Sequence, residues 1–525
     1  MLFHNLITDR FFWNGKQIAI RLSTLCFLSP YVVILSPMIF FLNAINFLTV
    51  VVGFIVQVLI VRFFGASDAT DIYYLILAIT TFITGLSTGF LTDLFIPIYH
   101  DAKNRGREYA TKLTGGVMTL ALLSGIVLTM VVYQFAPLII SIFASGFHTG
   151  KFDESVRMLH IVSFSIIFTS MTMILNATLN ANSFLLVTYL TNMILPVSNL
   201  VALFAAGQRY GVAALMYSIL FASIASFLII FVYCKLKVGA RFANPLGQKD
   251  LKYLLIKNVP VRAANMIHML RGPVTTTVLS YFPAGFLTLY SYADKIVSTL
   301  LGTTNSPIAQ FYYIKSSEFS SKKNYKDIKS LLIETVRSSV VLFAGMYFLT
   351  VLVFQKIFGI LFAGKVPEGG VETMFLLFLS LFPFYYISLL GTELGSTAMA
   401  MKKGRYIFYA SGTFIVILGA SLFLLGKLLS YYALPVALAV GQVFAIVVYI
   451  ILINNLSRMV ERNFFRVQMN TIGVGALMLA ANFILANHFA FQIGVSLVLL
   501  VIWILANGRS AITAMKFITA KGEIR

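Results

Sequence analysis

Charge is what this 525-residue chain has least of: only 11% of its residues are Asp, Glu, Lys or Arg, and the acids number 18. Soluble domains carry about 25% charged residues, so that scarcity, with a mean hydropathy of +0.90, excludes a soluble globular domain and points to a polytopic helical membrane protein. Cysteine is nearly absent too. Cys26 and Cys234 stand far apart and give neither a metal-ligand spacing nor a disulfide framework. No connection between the apolar runs is long enough for a soluble catalytic domain, so the chain reads as a transporter and not an enzyme. A membrane glycosyltransferase, for example, would need carboxylates for metal and sugar nucleotide on a sizeable aqueous loop.

Apolar length and positive charge are what the chain has instead. Hydrophobic types make up 59% of it, and the net charge is +21. In a soluble protein that excess would suggest nucleic acid. Here the basic residues sit in short connections between apolar runs, which is an orientation signal, and no nucleic-acid partner is expected. Counting runs long enough to cross a bilayer gives about fourteen spans between residues 42 and 507. Alternate connections are basic: Lys103, Arg105 and Arg107; Lys235, Lys237 and Arg241; Lys322, Lys323 and Lys326; Lys402, Lys403 and Arg405. Both termini are therefore expected in the cytoplasm.

The expected division is an interfacial extension over 1–37, a first set of spans over 38–233 and a basic cytoplasmic linker over 234–257. A second set follows over 258–455, and two C-terminal helices with a basic tail occupy 456–525. The basic pieces at 234–257 and 313–329 are expected to lie along the inner leaflet, drawn by anionic lipid.

The stretch 261–307 puts Arg262, His268, Arg271, Asp294 and Lys295 inside apolar runs. An arginine at mid-membrane costs at least roughly 2.5–3.5 kcal/mol, so it is kept where it faces a polar cavity, pairs with an acid or reaches an interface. On one continuous helix Asn265, His268 and Arg271 would share a side, with Arg262 pointing nearly the opposite way and snorkelling near Lys257. Arg271 and Lys295 are thus the better cavity cations. Among acids within spans, Asp93, Asp294 and Glu393 stand in apolar or small-residue surroundings, where carboxyl groups can carry protons or bind Na⁺. Asp71, behind the turn residues Ala69 and Thr70, reads either as a helix cap or as a coupling acid. Tyr73, Tyr74, Tyr290 and Tyr292 read as packing aromatics, with sugar-facing or gating roles as the alternative.

The two halves echo one another. Residues 61–108 run from a small-residue turn through Asp and Tyr, then Gly, Ser and Thr, to a basic loop, and residues 278–323 repeat that order. Repeats of this kind in membrane proteins commonly mean two bundles around a central site and alternating access.

Five short pieces carry a family resemblance: VRFFGASDATD at 61–71, LFIPIY ending at Tyr99, FASGF at 143–147, LNANSF at 179–184 and YADK at 292–295. In order and spacing, over roughly 45–466, they resemble the MviN/MurJ family of lipid II flippases in the multidrug/oligosaccharidyl-lipid/polysaccharide exporter superfamily. The resemblance implies an all-α fold of two pseudo-symmetric six-helix lobes plus two C-terminal helices, in the bacterial inner membrane. It implies a flippase carrying an undecaprenyl-pyrophosphate-linked saccharide from the inner to the outer leaflet. It implies no cofactor, with Na⁺ or H⁺ as a coupling ion, membrane lipids as surroundings and a monomer as the working unit.

Asp71 matches a cavity-side acid of that family, and Lys295 replaces a cavity arginine that meets the pyrophosphate. The expected substrate set is Arg271, Lys295, Arg262 and Asp71, and the expected ion-coupling set is Glu393, Asp294 and Asp93. Val50, Val56 and Thr84 stand where the family has arginines, and Arg271, which the family does not generally carry, is placed to compensate. That departure keeps a flippase for an O-antigen or capsule repeat unit as the alternative. A cation-coupled multidrug exporter fits less well, because the charges within spans lean basic.

Overall fold

The computed structural model of the chain describes residues 30–92, 95–182, 184–245, 259–321, 323–401 and 403–453, with isolated positions between 471 and 507. Among these residues the regular structure is entirely helical. Seven helical stretches are long and apolar enough to cross a membrane, or eight if the bent pair Thr149–Ser163 and Ser165–Ala181 is one span. With no water in the bilayer core to take backbone N–H and C=O groups, closing each hydrogen bond within its own segment is what makes these apolar runs helical.

The first part of the chain contains α1 (Pro30–Phe64), α2 (Asp68–Thr92), α3 (Phe95–Asn104), α4 (Arg107–Gln134), α5 (Ala136–Phe143), α6 (Thr149–Ser163), α7 (Ser165–Ala181), α8 (Leu185–Asn192), α9 (Ile194–Tyr210) and α10 (Ala213–Lys237). Helix α7 is the hub, packing on α4 and on α10, while α9 packs on α10 and α1. Beyond α10 the backbone is non-helical to residue 245 and lies against α4. Thr119 donates to the Ala243 carbonyl at 2.9 Å and Arg107 to the Lys237 carbonyl at 3.2 Å. Gly115 permits the approach, since a Cβ there would stand 2.1 Å from the Arg241 carbonyl oxygen. The start of the expected inner-leaflet linker is thus a strap on α4; residues 246–258 lie outside the described residues.

The second part contains α11 (Val259–Met269), α12 (Arg271–Leu279), α13 (Phe286–Ser321), α14 (Tyr325–Leu361), α15 (Gly370–Ala400), α16 (Gly404–Leu429) and α17 (Ala433–Leu452). Helix α15 packs on α13, α14 and α17. Aromatic rings fill the seam between α14 and α15, with Phe343 stacked on Phe382 at 5.8 Å and Tyr347 on Phe378 at 4.6 Å. Helix α13 has 36 residues, roughly 54 Å at 1.5 Å each, against a hydrocarbon core of about 30 Å. It therefore projects well past the membrane. A tight turn at Lys323, φ 55°, leads into α14, where Asn324 caps by accepting from the Asp327 N–H. The segment 313–329, read from its charge as a surface piece, is the tip of this helical hairpin.

One short break precedes Arg271. Pro273 has no N–H for the Met269 carbonyl, and the helix interrupts at Leu270, separating α11 from α12. Leu270 itself keeps an αR backbone and the Val274 N–H still reaches its carbonyl at 3.0 Å, so Arg271 follows His268 across an interruption of one residue. His268 packs against Phe414 at 5.5 Å, and Asn265 lines a cavity of about 350 Å³ with Tyr313, Gly395, Ser396, Met399 and Ile407.

Helix α2 is the bridge between the two parts, touching α11, α12 and α13. Gly85 lets it approach: a Cβ there would lie 2.1 Å from Met269 Cε.

Candidate functional site

Asp71 lies in the first turn of α2 and is 2% exposed. Burial at that depth demands that every carboxylate lone pair be met, and here they are. Lys151, on α6, places its ammonium 2.8 Å from Asp71 Oδ2 and 2.8 Å from Asp68 Oδ1, over the Phe147 ring. The backbone N–H of Gly285 donates to Asp71 Oδ2 at 2.8 Å. The N–H and hydroxyl of Thr288 donate to Oδ1 at 2.9 and 2.7 Å. Helix α13 has no acid in its own first turn, so Asp71 supplies the negative cap its N-terminus needs, from another helix.

The same end of the molecule carries a series of such cross-links. Gly146 N–H donates to Ser280 Oγ at 3.0 Å, Thr277 to the Ile142 carbonyl at 3.0 Å, and Tyr281 to Ser145 Oγ at 2.9 Å. Ala66 N–H reaches the Lys365 carbonyl at 3.1 Å, and Arg62 the Leu361 carbonyl at 3.1 Å. Gly285, at φ 84°, would put a Cβ 2.4 Å from the Ala66 carbonyl oxygen. Lys103, Arg105 and Lys323 stand at the opposite ends of α3 and α13. The cross-links thus form a latch on the face away from those basic turns. Just inside it, Tyr74 donates to the Gln57 side-chain oxygen and Tyr292 to the Gln57 carbonyl, their rings meeting edge-on at 5.8 Å.

Deeper along α13, Asp294 and Arg271 face each other. One guanidinium nitrogen lies 2.6 Å from Asp294 Oδ1, which also accepts from the Tyr385 hydroxyl at 2.7 Å. That nitrogen donates to the Tyr385 oxygen at 3.1 Å as well, and the guanidinium sits 4.4 Å over Phe384. The side chains of Arg271 and Asp294 remain 21% and 30% exposed, so the pair is open on one side. Lys295, one residue on, is exposed and its ammonium has no ion pair among the described residues.

The other expected site residues lie elsewhere. Arg262 is buried, at 4% exposure, and so does not snorkel. Glu393, 0% exposed, is enclosed in the interior of the second part. Asp93 lies outside the described residues. Sequence reasoning missed Lys151, Thr288 and Tyr385. For Lys151 the usable signal was the Asp68–Asp71 pair on one helix turn, which needs a countercharge. Thr288 and Tyr385 carry no local signal at all, because their roles depend on which helix lies opposite.

The profile of the family described as lipid II flippase MurJ matches residues 60–504. The chain belongs to the lipid II flippase MurJ family. A lipid II flippase MurJ of Burkholderia cenocepacia is 27% identical over 274 residues, covering 50% of this chain and 53% of that one. The chain spans about half the length of the first curated MurJ relatives it matches. In fold it is similar to a solved lipid II flippase MurJ in an inward closed conformation, with TM-score 0.73, 16% identity, and coverage of 90% of this chain and 100% of that one. A multidrug resistance MATE family transporter of the MOP superfamily, inward-facing, follows at TM-score 0.67, 12% identity, and coverage of 78% and 94%. The matched residues 60–504 take in both the latch and the Arg271–Asp294 pair.

Proposed function

We propose that this chain carries a polyprenyl-pyrophosphate-linked saccharide, lipid II or a close chemical relative, from the inner to the outer leaflet of the bacterial inner membrane by alternating access. The observation that carries the proposal is the closed latch around Asp71, with two partly exposed cations, Arg271 and Lys295, on its inner side. A carrier for such a lipid needs a hydrated chamber that is shut on one face while it loads from the other, with cations for the headgroup. In this reading the fold comprises about fourteen spans, two six-helix lobes and two C-terminal helices, with both termini cytoplasmic. The lobes are 38–233 and 258–455, and the chain works as a monomer among membrane lipids, without a cofactor and driven by a gradient of Na⁺ or H⁺.

Arg271 meets the pyrophosphate as a planar fork and Lys295 as a point charge. Asp294 occupies Arg271 in the empty carrier, so headgroup binding exchanges one anion for another and leaves no guanidinium unpaired. Asp71 acts at the gate rather than on the substrate. Opening the latch requires α2 and the N-terminus of α13 to part, which exposes their polar groups to the water that then fills the outer mouth.

The test is flipping of defined lipid-linked saccharides in proteoliposomes. Arg271→Ala and Lys295→Ala are expected to slow it; normal flipping by both ends the site assignment. A flippase for an O-antigen or capsule repeat unit is the second reading, favoured by Val50, Val56 and Thr84 in place of the arginines that the resemblance leads one to expect. Depletion separates the two: lysis with loss of lipid II export supports the first, and loss of surface polysaccharide with intact growth supports the second.

A further inference from the structure

Helix α15 carries one acid in its interior, Glu393, and neither of its carboxyl oxygens makes a well-formed hydrogen bond. It is 0% exposed. Asn305 of α13 faces it, and Asn305 Oδ1 is equally unsatisfied.

Nearby hydroxyls cannot help. One turn on, Thr397 donates to the Glu393 backbone carbonyl at 2.8 Å, and the Tyr312 hydroxyl of α13 is bonded to Thr397 Oγ1. From α17, Gln442 and Tyr449 sit against Gly391 and Gly395, on the other side of α15. From α14, Thr335, Ser338 and Ser339 bring buried hydroxyls that bond neither Glu393 nor any other group, and Glu334 and Arg337 pair with each other at 3.6 Å. From α16 the buried polar groups are Ser411 and Ser421. Among the described residues Glu393 has no ion-pair partner.

An ionised carboxylate so enclosed would lose several kcal/mol of hydration with nothing in return. A single proton removes the charge and also supplies the missing donor, from the Glu393 carboxylic O–H to Asn305 Oδ1. A metal ion would instead need a shell of oxygens, and the Thr397 and Tyr312 hydroxyls are already committed to each other. A path for the proton lies close by. The cavity of about 350 Å³ reaches Gly395 and Ser396 of α15 and Tyr313 of α13, within one helical turn of both Glu393 and Tyr312.

We propose that Glu393 is a proton-binding site, protonated in this closed state and loaded through the cavity beside Ser396, and, resting on the transport reading above, that it gives up its proton when α13 and α15 move apart in the cycle. Infrared spectra of the full-length protein in lipid test the first part without any transport. Wild type is expected to show a carboxylic-acid C=O band at neutral pH that shifts on deuteration. Glu393→Gln should lack this band but keep its melting temperature, because the amide N–H also serves Asn305 Oδ1.

Absence of the band in wild type overturns the proposal. So does stabilisation of wild type, but not Glu393→Gln, by Na⁺ over choline at fixed pH. In proteoliposomes Glu393→Gln is expected to lose the response of flipping to an imposed proton gradient, and an undiminished response overturns the transport part. If wild type itself flips no lipid-linked saccharide, the function proposed above fails, while the infrared band still decides the proton site.

Discussion

Asp71 and Glu393 are both carboxyl groups buried in apolar helices, yet their surroundings are opposites. Asp71 receives an ammonium, two backbone N–H groups and a hydroxyl; neither oxygen of Glu393 makes a well-formed hydrogen bond. A saturated acid is held as an anion and works as a fastener, so breaking it means separating the parts it joins. An acid without donors can be neutral at little cost, so its proton is what can come and go. Burial alone therefore says little about an acid's role in this molecule; the donors around it decide.

The largest test of that contrast is Asp71→Ala, which strips Lys151 of one acid and uncaps α13. Removing one partner of a buried pair costs about 3–5 kcal/mol. Flipping is expected to fall about a hundredfold or more, with the melting temperature lowered and a cysteine placed at Ser280 becoming reactive from the outer face. Should Glu393→Gln prove as damaging as Asp71→Ala, the distinction between fastener and proton carrier is lost.

Arg271→Ala comes next. It is expected to cut flipping more than tenfold while leaving the latch closed to the same cysteine probe, and Arg271→Lys to restore it only in part, since a point charge cannot reproduce the fork. Gly285→Ala forces a Cβ toward the Ala66 carbonyl at an unfavourable φ, a strain of about 1–3 kcal/mol. It should weaken the latch about tenfold in cysteine reactivity and leave Arg271-dependent binding of a soluble pyrophosphate unchanged. The smallest effect is expected from Tyr385→Phe. Losing one hydrogen bond to Asp294 costs about 0.5–1.5 kcal/mol, and flipping should drop only a few-fold.

Much of the fold was legible because lipid leaves the backbone few choices: long apolar runs had to be helices, and the basic turns set their expected orientation. Within the echoing stretches 61–108 and 278–323, α2 and α13 each start at a small-residue turn, and Asp71 joins the two starts. The site was legible only in its residue types. Arg271 and Asp294 stood out as charges within spans, but nothing in the sequence joined them to each other or to Tyr385. Asp71 read either as a cap on its own helix or as a coupling acid; in the structure it caps α13, over two hundred residues away.

By itself the sequence determined that this is a helical membrane protein, and that a handful of charges within its spans had to be paired, hydrated or neutralised, because hydrocarbon solvates none of them. Which of these outcomes each charge met was decided only by tertiary structure. Lys151 and the end of α13 satisfy Asp71, Asp294 and Tyr385 hold Arg271, and Glu393 is enclosed without a well-formed hydrogen bond. Those partners lie far away in sequence, and only the packing of helices brings their atoms within hydrogen-bonding range.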